Sequence, residues 1–107
     1  MEETEVIKAF AALAQPMRLK VFRALVVAGH AGMTPTTIAQ QLGLPAATLS
    51  FHLKELNHAG LVTQEREGRS LIYRAAYDQM DALISFMKAN CCSGLPVEAA
   101  ASAACAC

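Results

Sequence analysis

The chain has 107 residues, 54% hydrophobic and 17% charged, with four Phe, two Tyr and no Trp, enough for one modest core and too few for two ordinary domains. No apolar run approaches the roughly 20 residues a membrane span needs, because Arg18, Lys20 and Arg23 interrupt the most apolar third, and the acidic start MEETEV does not fit a signal peptide. A cytoplasmic protein with no membrane partner is expected. The formal net charge is zero, but Arg18, Lys20, Arg23, Lys54, Arg66, Arg69 and Arg74 meet only Glu55, Glu65 and Glu67 across the middle of the chain. Phosphate binding responds to such a local patch rather than to the sum, so nucleic acid stays open as a partner.

Glu2 to Ala14 reads as a first helix, with carboxylates in the opening turn where the helix dipole favours them and an apolar stripe of Val6, Ala9, Phe10 and Leu13. Pro16 suits the first position of a second helix running to about Ala28, with Leu19, Phe22, Leu25 and Val26 inward. Gly29 and Gly32 end it. Thr34 caps a third helix with Pro35 at its first position and Ile38, Ala39 and Leu42 on the buried side. Gly43 to Pro45 breaks the pattern, and a fourth helix follows from about Ala46 to His58. Setting Leu49, Leu53 and Leu56 inward turns Ala47, Phe51, Lys54 and His58 outward, with Thr48 and Ser50 on the flanks.

After Gly60 the period shortens towards two. Leu61 to Arg66 and Ser70 to Ala75 read as a β-hairpin with Gly68 at the tip between Arg66 and Arg69. Asp78 to Ala89 returns to a helical period with Met80, Leu83, Ile84 and Met87 on one stripe, and the Ala-rich remainder has no large periodic hydrophobe after Val97. The expected architecture is mainly α: four helices, a two-stranded wing and a fifth helix, with residues 1–90 forming the domain and 91–107 a flexible cysteine-containing tail.

A helix followed by a turn, an outward-polar helix and a basic hairpin is the winged helix-turn-helix pattern, whose second helix enters the major groove. Thr48 and Ser50 are short enough to let the backbone approach base edges, with Ala47 beside them. Phe51 suits a thymine methyl, and Lys54 and His58 suit phosphates. Arg66 and Arg69 on the wing reach the flanking backbone or minor groove. Phe51 has an alternative place, packed under the wing. His52 lies beside the Leu49, Leu53, Leu56 stripe and reads as a hydrogen-bonded residue at the core's edge. The same layout also serves protein-interaction modules. An enzyme is not expected, since no nucleophile with a base at useful spacing and no phosphate loop occurs.

The runs ALAQPMRLKVFRAL, LSFHLKELNHAGLV and REGRSLIYR make the chain from Ile7 to Ala89 similar to the ArsR/SmtB family of winged-helix repressors. The resemblance implies a homodimer joined by its first and last helices, bound without a cofactor to a partly palindromic operator and released by a ligand. The familiar sensor sites are missing. The third helix, TIAQQL, has no thiol where the best-known arsenic sensors carry cysteines, and the last helix has Asp78 and Asp81 but no histidine for zinc.

All four cysteines, Cys91, Cys92, Cys105 and Cys107, fall in the last 17 residues, which in a cytoplasmic protein points to soft-ion or redox chemistry. Adjacent Cα atoms are about 3.8 Å apart, so a Cys91–Cys92 disulfide is strained, yet both thiols can bind one large soft ion. Trivalent arsenic or antimony takes three thiolates, from Cys91, Cys92 and one of Cys105 or Cys107. Some members of the family resembled here place an arsenic site at the end of the last helix. A methylated trivalent arsenical needs only two thiolates, and a switch worked by oxidants or sulfur species is the alternative sensor.

Overall fold

The computed structural model describes residues 1–92. Their order is α1 (Glu3–Leu13), α2 (Pro16–Ala28), a 3₁₀ turn (Gly29–Ala31), α3 (Pro35–Leu42), α4 (Ala46–His58), β1 (Val62–Glu67), β2 (Ser70–Ala75) and α5 (Tyr77–Lys88). Local chemistry sets most boundaries. The Gln15 side chain accepts from the Arg18 amide at 2.7 Å and Pro16 opens α2, while Thr34 caps α3 and Pro35 opens it. Gly43 closes α3 in the left-handed region at φ 65°, which a side chain would strain.

The hairpin pairs Val62 with Ala75 through Glu67 with Ser70. Its two-residue tip has Gly68 at φ 64°, the first-position glycine that matches the twist of the strands. Met33 adds an unpredicted third edge, exchanging backbone hydrogen bonds of 2.9 Å with Tyr73 in both directions. That pairing needs Gly32 bare, since a Cβ there would lie 2.6 Å from the Tyr73 carbonyl oxygen. The core gathers Val6, Ala9 and Ala12 of α1, Val21, Phe22 and Leu25 of α2, Ile38, the Leu49, Leu53, Leu56 row of α4, Leu61 and Leu83. The Tyr77 hydroxyl, 3.0 Å from the Val26 carbonyl oxygen, ties α5 to α2.

Four expectations need correction. Leu19 faces outward, 44% exposed, and Val21 takes the inward position. The α1 stripe splits: small Ala9 and Ala12 bring the helix against the core, which leaves Phe10 outside and Leu13 only half-buried. Likewise Leu83 turns inward while Ile84 and Met87 stay exposed. Finally, α5 stops at Lys88, one residue short of the expected Ala89, because Ala89 has ψ 131° and leaves the helix, and Cys91 and Cys92 lie in the turn beyond it. No helix among the described residues is long and apolar enough to cross a membrane.

Candidate nucleic-acid interface and thiol pair

α4 presents the side chains expected of it. Ala47, Thr48, Ser50, Phe51, Lys54 and His58 are all exposed, while Leu49, His52, Leu53 and Leu56 are buried. Its flank from Ala46 through Ser50 to Asn57 faces the hairpin across two clefts of about 350 and 270 Å³ that share Tyr73. Phe51 sits on the opposite flank. It does not pack under the wing: its ring is 54% exposed and lies beneath the Arg18 guanidinium, 5.6 Å from the ring centroid. His58 Nδ1 is 3.9 Å from Glu55 Oε2, a partner for it when protonated.

His52 is buried and bonded, as expected of a core-edge histidine. Arg18 Nε donates to its Nδ1 at 3.4 Å, and Arg18 Nη1 donates to the Ala12 carbonyl at 3.3 Å. Burial, and then the neighbouring guanidinium, holds the imidazole below its ordinary pKa of 6.5. The ring is therefore neutral at pH 7, with Nδ1 free to accept.

Strand register decides which way the wing's charges point. Gln64 and Arg66 on β1 pair with Tyr73 and Leu71 on β2, so these four share the face turned to α4, where Gln64, Leu71 and Tyr73 line the clefts. Glu65, Glu67 and Arg74 share the other face. There Arg74 donates to Glu65 at 2.8 Å, to Glu67 at 3.0 Å and to the His30 carbonyl at 2.6 Å. One cation counted in the basic stretch is thus held inside the wing, paired with both wing carboxylates. The remaining wing cations are Arg66 on the α4 side and Arg69 at the tip, both exposed.

A family model described as a helix-turn-helix domain matches residues 13–65. Among curated proteins, the HTH-type transcriptional regulator KmtR of Mycobacterium tuberculosis is 32% identical over 79 residues, 74% of this chain and 58% of that protein. The chain thus spans less than two thirds of that relative's length. Among solved structures, an ArsR-like transcriptional regulator from Rhodococcus sp. RHA1 superposes with a TM-score of 0.72 at 26% identity, over 80% of this chain and 78% of that one. The homodimeric winged helix-turn-helix DNA-binding domain of Mb0332 from Mycobacterium bovis, a possible ArsR-family transcriptional regulator, gives 0.67 at 29% identity, over 80% and 77%. The chain has the winged helix-turn-helix fold of ArsR-like proteins. Its relatives are transcriptional regulators, in agreement with the expectation of a non-enzyme.

In this ArsR-like chain, the turn after α5 brings two thiols together. Cys91 Sγ and Cys92 Sγ are 3.0 Å apart as free cysteines, Cys91 half-buried and Cys92 exposed. Left-handed backbone at Asn90 (φ 59°) and Cys92 (φ 65°) shapes this turn. The hydrogen bond to Cys92, with burial behind it, pushes the Cys91 thiol above its ordinary pKa of 9.0, so it is protonated at neutral pH. No group of three or more Cys, His, Asp or Glu converges among the described residues. Cys105 and Cys107 lie outside them.

The residue that sequence reasoning undervalued is Arg18, which figured only as one charge of the basic stretch. A signal was present: Arg18 stands in the first turn of α2, where the helix dipole disfavours a cation, so another partner has to hold it there.

Proposed function

We propose that the chain is a repressor that binds operator duplex as a homodimer and leaves it when a trivalent arsenic or antimony species binds Cys91 and Cys92. The outward row of α4 carries the DNA half of this reading: short side chains at Ala47, Thr48 and Ser50, one aromatic at Phe51, and Lys54 and His58 behind them. Arg66 and Arg69 extend the positive surface onto the wing. Binding relies on these side chains alone and needs no cofactor. Two recognition helices about 34–36 Å apart would read successive half-sites.

The dimer is supported by apolar surface without cover on the two helices named for it. Ile7 (60%) and Phe10 (42%) on α1, with Ile84 (49%) and Met87 (61%) on α5, are exposed, and α1 and α5 touch. Mb0332, whose domain is homodimeric, has the same fold. A ligand closing the turn after α5, beside this interface, would alter the spacing of the recognition helices and break register with both grooves.

The inducer class rests on the thiol pair and its protons. Arsenous acid brings its own hydroxides: each As–O bond is exchanged for As–S, and the thiol proton leaves with the hydroxide as water. A bare divalent cation must instead release every thiol proton into solvent. A thiol pair 3.0 Å apart in which Cys91 is held protonated therefore suits the trivalent hydroxide better. Cys105 or Cys107 supplies the third sulfur, making 91–107 the sensing segment and 1–90 the DNA-binding and dimerisation unit. A methylated trivalent arsenical would need only the pair.

Release from duplex, followed by fluorescence anisotropy against arsenite, antimonite, methylarsenite, zinc, cadmium and peroxide, tests this function. The trivalent species should release the wild type, while Cys91→Ser and Cys92→Ser bind normally and stay bound. A variant still released by arsenite as the wild type is would sink this site. Release by peroxide alone would favour thiol oxidation.

A further inference from the structure

Resting on the DNA-binding reading above, we infer that Arg18 is a specificity-determining positioning residue, a clamp from α2 that fixes where Phe51 and the centre of α4 meet the base edges. The guanidinium makes three different contacts at once. Nη1 donates to the Ala12 carbonyl at 3.3 Å, at the end of α1. Nε donates to His52 Nδ1 at 3.4 Å, in the buried row of α4. Its central carbon, Cζ, lies over the Phe51 ring at 5.6 Å from the centroid. The first two contacts fix the guanidinium on the body of the domain, and the third places it against the side chain that α4 presents outward.

Neighbouring positions on α4 divide this work. His52 is 5% exposed and points into the core, whereas the adjacent Phe51 is 54% exposed, and their rings meet at 5.8 Å with a 56° tilt. A bare aromatic on a recognition helix has several rotamers to lose on binding. With one ring face covered by a fixed cation, Phe51 is held in one orientation before DNA arrives, so that cost is reduced. The contact uses the two-donor fork of an arginine together with its charge over the ring. A lysine at the same position keeps the charge but not the fork.

An ordinary phosphate contact predicts something different. A cation that neutralises a phosphate contributes about 0.9 to the slope of log affinity against log salt, whatever the sequence. A residue that orients Phe51 leaves that slope alone and changes the preference between sequences.

The test uses the full chain and a duplex selected from a random pool by the wild type, alongside a scrambled duplex of equal length and composition. Both are titrated across salt with wild type, Arg18→Lys, Arg18→Met, Phe51→Leu and Arg18→Lys/Phe51→Leu. Thermal melting checks that each variant is folded at the assay temperature, and Arg18→Lys carries the test if Arg18→Met is not. Arg18→Lys should lose about tenfold in the ratio of selected to scrambled affinity, worth about 1.4 kcal/mol, with the scrambled-duplex salt slope unchanged. The double variant should be no worse than the weaker single one, since both remove the same contact. In the wild type, the His52 Nδ1 nitrogen should show the unprotonated, hydrogen-bonded NMR shift, lost in Arg18→Met. A fall in salt slope of about 0.9 per Arg18 removed, at constant ratio, would make Arg18 a phosphate contact and overturn the inference. So would an unchanged ratio in a folded variant. A wild type without salt-dependent duplex binding would bring down the DNA-binding reading itself, and this inference with it.

Discussion

Arg74 Nη1 lies 2.8 Å from Glu65 Oε1, and the same guanidinium reaches Glu67 at 3.0 Å through Nη2. The three residues sit on the face of the hairpin away from α4, where the cation pairs with both carboxylates of the wing and offsets one of their two charges. The wing stays net positive because Arg66, Arg69 and Arg74 together outnumber Glu65 and Glu67, although Arg74 is itself removed from any contact with phosphate. Replacing Arg74 with Met should lower duplex affinity several-fold, most at low salt, where uncompensated carboxylates repel phosphates furthest. Adding Glu65→Gln and Glu67→Gln should restore most of the loss in a salt-titrated anisotropy assay. A restored variant no tighter than Arg74→Met alone would point instead to the bond with the His30 carbonyl.

Stability should decline on mild acidification because of His52. Its folded pKa is depressed below the 6.5 of the free side chain, so below that pH the unfolded chain takes up a proton that the folded one refuses. The contribution is complete above about pH 6.5, is lost as pH falls from there towards the folded pKa, and changes no further below it. Urea midpoints at several pH values between 5 and 8 should fall more steeply in wild type than in His52→Gln, the difference isolating this residue from His30 and His58. Parallel curves for the two proteins would remove His52 from the pH response.

Charges placed on the exposed rows of α1 and α5 should separate the subunits. Ile84→Glu and Met87→Glu alter side chains that are 49% and 61% exposed in the single chain, so the fold itself should change by no more than about 0.5 kcal/mol. Sedimentation should nevertheless show a monomer at micromolar concentration. Operator affinity should fall at least about tenfold, because two half-sites no longer bind as one unit. A variant that remains dimeric would move the interface elsewhere.

Proton bookkeeping at the Cys91–Cys92 pair gives a pH signature. With the Cys91 thiol held protonated, binding of cadmium through it should strengthen by about tenfold per pH unit between about pH 6 and 8, one proton being released. Arsenite exchanges hydroxide for thiol and releases water, so its apparent affinity should stay almost flat over that range. Isothermal titration in two buffers of different ionisation enthalpy would count the protons directly. Arsenite binding that releases two or more protons would contradict the exchange proposed here.

Local rules determined the elements of this protein. Proline at the first turn of α2 and of α3, glycine after α3 and at the hairpin tip, and a hydrophobic period that switches from helical to alternating are interactions among near neighbours. Each is readable without knowing where the rest of the chain goes. The outward row of α4 followed for the same reason, since Leu49, Leu53 and Leu56 define one side of a helix and hence the other. What the tertiary structure alone decided are choices between residues equally suited to two places. Phe10 and Ala9 are both apolar, and only the closeness of α1 to the core sent the smaller one inward. Arg18 and Arg74 are both basic, but a partner 34 residues away turned one into a clamp on α4, and one 44 residues away tied the other to the turn after α2. Such assignments depend on distances across the fold, which neither composition nor spacing along the chain encodes.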